Sequence, residues 1–311
     1  MEPIVSLNSR DFENNSPGIV LVNPIAGSGA ASRSMDAWKS VLPSNYQMVT
    51  GSCPADTERL AAQAASAQVP RLIIVGGDGT VHHALNGYLS VRNTHTRLAI
   101  LPSGTANDYA ASLHQHAKKQ QSQNLMVDVG RIRFENFQRY FLNVAGIGLT
   151  AHAALYSRPS PWLPARLRYT LGLLRTLVYG WQHIETSIQL PDQLLSKIQL
   201  LTLSVAIGMR EGSFPLAPTA DLEDGRFNIL IASNLKRRDV LRYLPGLMIG
   251  KLPRRDSRIQ YLTASQIKFC SSTPLHFHLD GEIYAEGLLP AHGEITLEQA
   301  GKIDIELLKN R

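Results

Sequence analysis

Apolar and polar positions alternate in two different ways along this chain, and the change of pattern falls near residue 133. Before that point, short apolar runs alternate with longer segments, a succession of strand and helix that predicts a doubly wound α/β domain. The predicted strands are 19–22, 46–50, 72–75 and 98–101, and the predicted helices are 32–42, 56–68 (with Asp56 or Thr57 as its N-cap) and a helix at Val81.

From Met126 onward the apolar runs are short and separated by turn residues, which predicts an antiparallel, β-rich domain. We place the boundary near residue 133, so the predicted domains are 1–133 and 134–311. The tail around 301–308 is expected to pack back on the first domain. The polar, Gln-rich segment 114–124 predicts an exposed helix end or a linker. The β-like runs are 126–129, 139–144, 198–207 and 226–232.

Two predicted helical insertions interrupt the second domain, and both are basic. The first, 157–184, has four arginines and no acid. We favour a helix that packs its apolar stripe on the core; the alternative is an interfacial helix that meets anionic lipid. The second, 236–258, has eight basic residues and two acids, typical of a solvated face or of a lipid-facing rim. The stripe of the first insertion consists of Leu167, Leu171, Leu174, Val178 and Trp181.

Composition narrows the class of protein. The 311 residues suffice for two domains, and 44% hydrophobic with 18% charged residues is a globular composition. A formal net charge of +6 favours an anionic partner: a nucleotide, a nucleic acid or an acidic membrane surface. No apolar run reaches 18 residues, residues 1–18 lack a signal-peptide pattern, and Cys53 and Cys270 do not suggest a disulfide framework. We therefore expect a cytoplasmic protein.

Glycine-rich turns follow three of the predicted strands, and they carry the candidate chemistry. Because the carboxyl ends of parallel strands form one crevice, these turns are expected to lie together. Gly76, Gly77 and Gly79 let the backbone approach a phosphate, the following helix offers unpaired N–H groups, and Asp78 can hold Mg²⁺. Taken alone, such a turn is equally typical of any strand-to-helix connection.

Three motifs together resemble the signatures of the diacylglycerol kinase catalytic-domain family. They are Asn23-Pro24 with Gly27-Ser28-Gly29, the turn Gly76-Gly-Asp-Gly-Thr80, and Leu101-Pro-Ser-Gly-Thr-Ala-Asn-Asp108. That family includes bacterial diacylglycerol and phosphatidylglycerol kinases and the sphingosine and ceramide kinases. The resemblance implies an N-terminal α/β nucleotide-binding domain and a C-terminal β-rich, antiparallel sandwich-like domain, with the active site in the cleft between them. It also implies an ATP-dependent lipid kinase that uses Mg²⁺.

The same resemblance implies roles for individual residues. The motif His278-Leu-Asp-Gly-Glu-Ile283, by itself an ordinary hairpin turn, is similar to the family's late acidic motif. It makes Glu282 the general base and Asp280 a supporting acid, with Asp78 and Asp108 as further catalytic acids. In 217–227, a structural Mg²⁺ is implied on the Asp224 carboxylate and the carbonyls of Asp221 and Arg226. The implied nucleotide contacts are Asn23, Thr50, Gly76, Gly77, Asp78, Gly79, Thr80, Gly104 and Thr105.

Other functions stay open at this point. An NAD kinase shares a Gly-Gly-Asp-Gly turn, although the motif ending at Asp108 and the late Asp-Gly-Glu favour the lipid kinase. A catalytically inactive, nucleotide-binding regulatory protein is suggested by His83, which stands where relatives usually carry Glu. We expect ATP, a membrane lipid and an anionic membrane surface as partners and no nucleic acid, with a homodimer as one possible state.

Overall fold

The computed structural model of the protein describes residues 18–27, 42, 46–92, 95–160, 162–251 and 253–308, and for 285–287 the backbone alone. The predicted helix 32–42 lies outside the described residues, apart from Leu42. The chain forms two compact units, each described by itself below. The first contains the chain up to Thr105, Ser122–Met126 and the end of the chain from Ile303, and the second contains Ala106–Gln121 and Val127–Lys302. The boundary near residue 133 concerns domains contiguous in sequence and stays a prediction.

A parallel sheet forms the centre of the first unit. Its strands lie in the order β2 (Gln47–Thr50), β1 (Ile19–Val22), β3 (Arg71–Gly76), β4 (Arg97–Pro102). All of β1 is buried, and so is β3 apart from its first residue, as expected of inner strands of a parallel sheet. The bounds are β1 (Ile19–Val22), β2 (Gln47–Thr50), β3 (Arg71–Gly76) and β4 (Arg97–Pro102).

Two described helices alternate with these strands, α1 (Pro54–Ser66) and α2 (Asp78–Leu89). The predicted N-cap of α1 was wrong, because Cys53 occupies that position rather than Asp56 or Thr57. The physical reason is Pro54, whose fixed φ and missing N–H suit the first helical position.

The end of the chain joins the sheet of the first unit. The last strand runs from Ile295 to Glu306, and its final residues, Ile305 and Glu306, pair in parallel with Leu98 and Ala99 of β4. Two ion pairs fix this strand end: Arg97 Nε lies 2.7 Å from Asp304 Oδ2, and Arg71 Nε lies 2.8 Å from Glu306 Oε2.

The second unit is built on antiparallel strands around an aromatic and aliphatic core. The long strand β9 (Gln193–Ala206) pairs with β7 (Val144–Gly148), β8 (Ile184–Leu190) and β10 (Phe227–Ser233). Phe141 and Phe227 stack in the core with ring centroids 5.8 Å apart. The strands are β5 (Asn124–Phe134), β6 (Phe137–Phe141), β7 (Val144–Gly148), β8 (Ile184–Leu190), β9 (Gln193–Ala206), β10 (Phe227–Ser233), β11 (Ile259–Ala264), β12 (Gln266–Ser271), β13 (Leu275–Leu279), β14 (Glu282–Leu289) and β15 (Ile295–Glu306). The first three residues of β5 and the last four of β15 belong to the first unit.

The described helices of the second unit are α3 (Asp108–Gln120), α4 (Leu149–Ser157), α5 (Ala165–Tyr179) and α6 (Arg237–Leu247). Segment 114–124 is only partly the exposed helix end that was predicted, because His116 and Ala117 of α3 are buried. None of the described helices is both long and apolar enough to cross a bilayer.

The favoured interpretation of the apolar stripe was wrong for three of its five residues, whereas Trp181 does pack against the core cluster. Leu167, Leu174 and Val178 are exposed, whereas Leu173 and Leu177 pack in the core. Gly172 explains this orientation: a Cβ built there would lie 2.2 Å from the Ala153 carbonyl oxygen of α4. The glycine side of α5 therefore packs closely against α4, and the leucine stripe on another side stays at the surface.

The predicted combination of an N-terminal α/β part and a C-terminal β-rich part is confirmed.

Candidate functional site

The carboxyl ends of the parallel strands in the first unit form one edge of the sheet. Val22 lies opposite Thr50 on one side and Val75 on the other, and Val75 lies opposite Leu101. Asn23, the glycine turn at 76–79 and the turn at 103–105 follow these positions directly. The structure thus brings the predicted nucleotide contacts together at one edge, with Thr50 exposed at the end of β2.

The turns at this edge pack backbone against backbone. The Ser103 N–H donates to the Gly76 carbonyl oxygen over 2.9 Å. A Cβ built on Gly77 would lie 3.0 Å from the Gly104 Cα atom, and one on Gly76 would lie 2.4 Å from the Thr80 Cβ atom. Close approach therefore favours glycine at positions 76 and 77, where a side chain would meet Thr80 or Gly104.

Polar groups converge on the start of α2. Asn23 Nδ2 donates to Thr80 Oγ1 over 3.1 Å, which ties the end of β1 to the first turn of the helix. Asp78 is the first residue of α2 and Gly79 the second, and Gly77 precedes them as the N-cap. The Ser103 hydroxyl is buried and finds no hydrogen-bond partner in the described part of the protein. An N-terminal helix turn and a buried hydroxyl suit an anionic ligand with hydroxyl or phosphate oxygens.

His83, the residue that departs from the family pattern, has a structural partner. Its Nδ1 atom lies 3.0 Å from Glu58 Oε1, so the side chain links α2 to α1. The histidine at this position therefore contributes a contact between two helices of the first unit.

In the second unit, the acidic motif forms a tight hairpin turn. Asp280 and Gly281 join β13 to β14, and both have positive φ, at 53° and 87°. Positive φ at both central residues is typical of two-residue Asp-Gly hairpin loops. Glu282 begins β14 opposite Leu279, its side chain is 36% exposed, and its Oε2 atom lies 3.9 Å from the Arg158 guanidinium. The turn thus projects a carboxylate beside a positive charge.

The Asp280 carboxylate supports the backbone that faces this turn. It accepts hydrogen bonds from the backbone N–H groups of Leu142, Asn143 and Val144, over 3.1, 2.8 and 3.0 Å. In return, the Asp280 N–H donates to the Val144 carbonyl over 2.8 Å. These contacts hold the backbone at 142–144, and the role of Asp280 as a supporting acid stays a prediction.

A buried polar network, not predicted from the sequence, lies behind the same turn. His278 Nε2 lies 2.9 Å from Glu211 Oε1, and the Gly281 N–H donates to His278 Nδ1 over 3.2 Å. Ser204 and Tyr169 donate hydroxyl hydrogen bonds to Glu211 over 2.8 and 3.1 Å. Burial raises the pKa of the Glu211 carboxyl, but hydrogen bonds from His278, Ser204 and Tyr169 outweigh burial and lower that pKa overall.

Asp108 connects to this network through the segment 210–214. Both of its carboxylate oxygens accept from the Ser213 N–H, over 3.1 and 2.8 Å, and Arg210 Nε lies 3.6 Å away. Burial raises the pKa of Asp108. Asn143 Nδ2 donates to the Arg210 carbonyl over 2.8 Å, so this segment also joins the backbone held by Asp280.

The predicted metal loop is held by side chains of its own unit. Asp224 Oδ1 accepts from the Arg226 N–H over 2.9 Å, and Asp221 Oδ1 accepts from the Glu223 N–H over 3.0 Å. Asp128 is buried and accepts from the Gly225 N–H over 2.7 Å. The described residues contain no cluster of three His, Cys, Asp or Glu side chains placed to hold a metal. Carboxylate and carbonyl oxygens are the ligands that Mg²⁺ prefers, and a structural Mg²⁺ on Asp221, Asp224 and Arg226 stays a prediction.

Within the second unit, hydrogen bonds through Asn143 and the segment 210–214 connect Asp280 with Asp108, and Glu282 follows Asp280 across the hairpin turn. The residues that link them were missed, namely Tyr169, Ser204, Arg210, Glu211, Ser213 and His278. One signal was present in the sequence: Glu211 closely follows the apolar run 198–207, so a charged side chain enters a buried region. Its partner His278 is 67 positions away, and no spacing in the sequence indicates that contact.

Comparison with known proteins places both parts of the chain. Residues 17–135 match the sequence model of the diacylglycerol kinase catalytic domain. Residues 143–299 match the YegS C-terminal NAD kinase beta sandwich-like domain.

Two curated relatives extend over most of the chain. The diacylglycerol kinase of Bacillus subtilis (strain 168) is 28% identical over 255 residues, covering 76% of this chain and 78% of the relative. A protein of Chromohalobacter salexigens named "Probable lipid kinase YegS-like" is 30% identical over 241 residues, covering 73% of this chain and 74% of the relative. A crystal structure of a diacylglycerol kinase from Bacillus anthracis str. Sterne matches with a TM-score of 0.67 at 20% identity, covering 95% of this chain and 97% of that one. The last likeness shows the fold.

Proposed function

Because this chain belongs to the diacylglycerol kinase catalytic-domain family, we propose that it is an ATP-dependent lipid kinase. It transfers the γ-phosphate of ATP to the hydroxyl group of a membrane lipid such as diacylglycerol. The observation that carries the proposal is the edge of the parallel sheet, where Asn23, the Gly76–Gly77 turn and the Ser103–Gly104 turn come together.

The first unit supplies the nucleotide-binding residues. Gly76, Gly77 and Gly104 keep the surface of the turns free of side chains, so phosphate oxygens can reach backbone N–H groups. Asn23 and Thr80, joined by their 3.1 Å hydrogen bond, fix the entrance to α2. The buried Ser103 hydroxyl adds a polar group that accommodates a nucleotide oxygen. Thr50, Gly79 and Thr105 complete the set.

Asp78 is the residue proposed to hold Mg²⁺, which, when bound, offsets the negative charge of the phosphates. The position suits this role, because Asp78 lies in the first turn of α2 beside the glycine turns. A second, structural Mg²⁺ is proposed on the Asp224 carboxylate and the carbonyls of Asp221 and Arg226.

Glu282 is the proposed general base. It accepts the proton of the lipid hydroxyl as that oxygen forms its bond to the γ-phosphorus and the bond to the β-phosphate oxygen breaks, with ADP as the leaving group. Asp280 and the buried Glu211–His278 pair hold the hairpin turn on which Glu282 stands. Asp108 keeps the segment 210–214 in place through Ser213 and Arg210.

We expect the protein to work in the cytoplasm, because ATP is available there. Since the acceptor lipid resides in a bilayer, we also expect the protein to bind peripherally to an anionic membrane. We expect no nucleic acid as partner, and a homodimer is compatible with the proposal.

The test is a phosphoryl-transfer assay with the purified full chain, γ-labelled ATP, Mg²⁺ and a total lipid extract, with NAD as a parallel acceptor. Label in a lipid that comigrates with phosphatidic acid supports diacylglycerol as substrate, and label in another lipid changes the acceptor. Label in NADP would favour the alternative NAD kinase. ATP binding without transfer to either acceptor would favour a regulatory protein that has lost catalysis.

A further inference from the structure

An apolar stripe lies exposed along α5 of the second unit. Leu167, Leu174 and Val178 are 55%, 39% and 61% exposed, at positions i, i+7 and i+11 of one helix. This spacing places them on one side of the helix. Exposed apolar residues are common singly, but a row of three indicates a surface that meets something apolar.

Further exposed apolar residues flank this helix. Trp162, five positions before Leu167, is 76% exposed, and Tyr179, at the other end of α5, is also 76% exposed. Arg166 donates a hydrogen bond to the Met248 carbonyl, so the segment after α6 lies beside the start of α5. Ile249, the next residue, is 64% exposed. Aromatic rings with one polar end are enriched where an apolar phase meets water.

The surroundings of the stripe are basic. Segment 157–184 has four arginines and no acid. In 236–258, the two acids, Asp239 and Asp256, are both paired with Arg258, over 2.8 and 2.7 Å. Arg238 and Arg242 of α6 are exposed. Helices α5 and α6 share one apolar cluster, and the Arg237 guanidinium lies 5.9 Å from the Trp181 ring centroid. Both basic segments therefore belong to one helical layer.

Arg158, at the start of the first basic segment, contacts the hairpin that carries the proposed general base. Arg158, four positions before Trp162, donates to the Ile283 carbonyl over 3.3 Å and lies 3.9 Å from Glu282. Trp162 is thus separated by only a short chain segment from Arg158, which contacts Glu282, the group proposed to accept the proton of the lipid hydroxyl.

We propose that this surface, the docking face, binds an anionic bilayer. It consists of Trp162, Leu167, Leu174, Val178, Tyr179 and Ile249. Apolar side chains enter the boundary between headgroups and acyl chains, and the surrounding arginines attract anionic headgroups. A second copy of the chain fits less well, because two such faces would bring arginine-rich segments of like charge together. The inference rests on the proposed function only for its purpose, namely to bring Glu282 to a lipid that stays in the membrane.

The test is vesicle flotation of the full chain without ATP, with vesicles of phosphatidylcholine alone or with phosphatidylglycerol at about a third of the lipid. We expect binding to the anionic vesicles and a steep loss as salt rises, since the Debye length falls from ~10 Å at 0.1 M to ~3 Å at 1 M. The double variant Leu167→Ser and Val178→Ser should lower the partition coefficient at least about tenfold, because two apolar side chains no longer enter the bilayer. The charge variant Arg238→Gln and Arg242→Gln should lower binding to anionic vesicles and flatten the salt dependence.

The matched control is Leu194→Ser. Leu194 is 66% exposed at the start of β9, and its replacement removes an apolar side chain of the same size. This variant should bind vesicles like the wild type. Equal binding of Leu167→Ser/Val178→Ser and wild type, or equal loss in the Leu194 control, would overturn the proposal. So would a wild-type dimer that the double variant converts to monomer while vesicle binding is unchanged, because the face would then be a subunit interface.

Failure of this inference and failure of the proposed function are distinguishable. A protein that binds vesicles through the docking face but phosphorylates no lipid contradicts the kinase assignment alone. Conversely, the double variant Leu167→Ser/Val178→Ser should keep full transfer to a short-chain diacylglycerol dissolved as monomers. Loss of transfer by this variant to the same lipid in anionic vesicles would support the docking face. Equal transfer by wild type and double variant in vesicles would contradict it.

Discussion

His278 Nε2 lies 2.9 Å from Glu211 Oε1, and both side chains are almost completely buried, at 1% and 3% exposed. The other ring nitrogen, Nδ1, faces the Gly281 N–H, which can only donate. Nδ1 therefore accepts, and Nε2 carries the hydrogen that points to Glu211. This relationship connects a buried carboxylate to the turn of Glu282 through one imidazole ring.

Replacing Glu211 by Gln should destabilise the protein strongly. The carboxylate accepts from Ser204, Tyr169 and His278, whereas an amide offers one acceptor oxygen and adds two N–H donors to a buried site full of donors. We expect a loss of about 2–5 kcal/mol in the free energy of unfolding, measured by urea denaturation.

Glu294→Gln is the matched control for that change. Glu294 pairs with Lys268 over 2.8 Å at the surface, and its side chain is 62% exposed. Its replacement should change the free energy of unfolding by ~1 kcal/mol or less. Equal free energies of unfolding for the two variants would show that the buried network stabilises the protein no more than a surface ion pair does.

Stability should depend on acid pH through Glu211. Its pKa in the folded protein is below the ordinary 4.5, because the hydrogen bonds outweigh burial. The folded state thus binds fewer protons than the unfolded state as pH falls below about 4.5. The contribution of Glu211 is fully present above that pH and is lost as pH falls through the folded pKa.

The measurement is the free energy of unfolding between pH 7 and 3 for wild type and Glu211→Gln. The difference between the two curves should shrink as pH falls, since other acids titrate in both proteins. A difference that stays constant over this range would mean that Glu211 is not the titrating group.

Asp78→Ala should abolish phosphoryl transfer and leave the fold intact. Asp78 lies in the first turn of α2, and the proposed charge compensation of the phosphates depends on its carboxylate. We expect turnover below about 1% of wild type with a nearly unchanged thermal midpoint. Asp56→Ala is the control, because Asp56 is the corresponding first-turn acid of α1. Near-normal activity of Asp78→Ala would refute the proposed nucleotide site.

The sequence predicts β1, β3 and β4 of the first unit well, because each contains a continuous apolar run and has glycine at its end or in the turn that follows. It also locates the acidic hairpin, since Asp280-Gly281 is a strong local turn signal. The prediction placed the start of α1 at Asp56, two residues too late. It overlooked the preference for proline at the first helical position, which Pro54 occupies. Local patterns of this kind carry most of the predictable structure.

Long-range contacts could not be predicted in the same way. Spacing alone finds the stripe on α5 but does not say which side of the helix faces the core. The close approach of Gly172 to the Ala153 carbonyl decides that, and it depends on the path of another helix. Likewise, the residues next to Gly146 in the sequence do not indicate a contact with a histidine. A Cβ at this position would nevertheless lie 2.1 Å from His278 Nε2. The glycine makes room for the ring that holds the turn of Glu282.

The most direct test of the account is the rate of labelled phosphate transfer from ATP to diacylglycerol by Glu282→Gln, with ATP affinity measured on the same preparation. Glutamine keeps the shape of the side chain but cannot accept a proton. We expect the rate to fall by about 10²–10⁴-fold with ATP affinity almost unchanged, because the lost interaction belongs to the transition state. Asp280→Asn should lower the rate less, since its contacts support backbone. Transfer by Glu282→Gln at the wild-type rate would contradict the account.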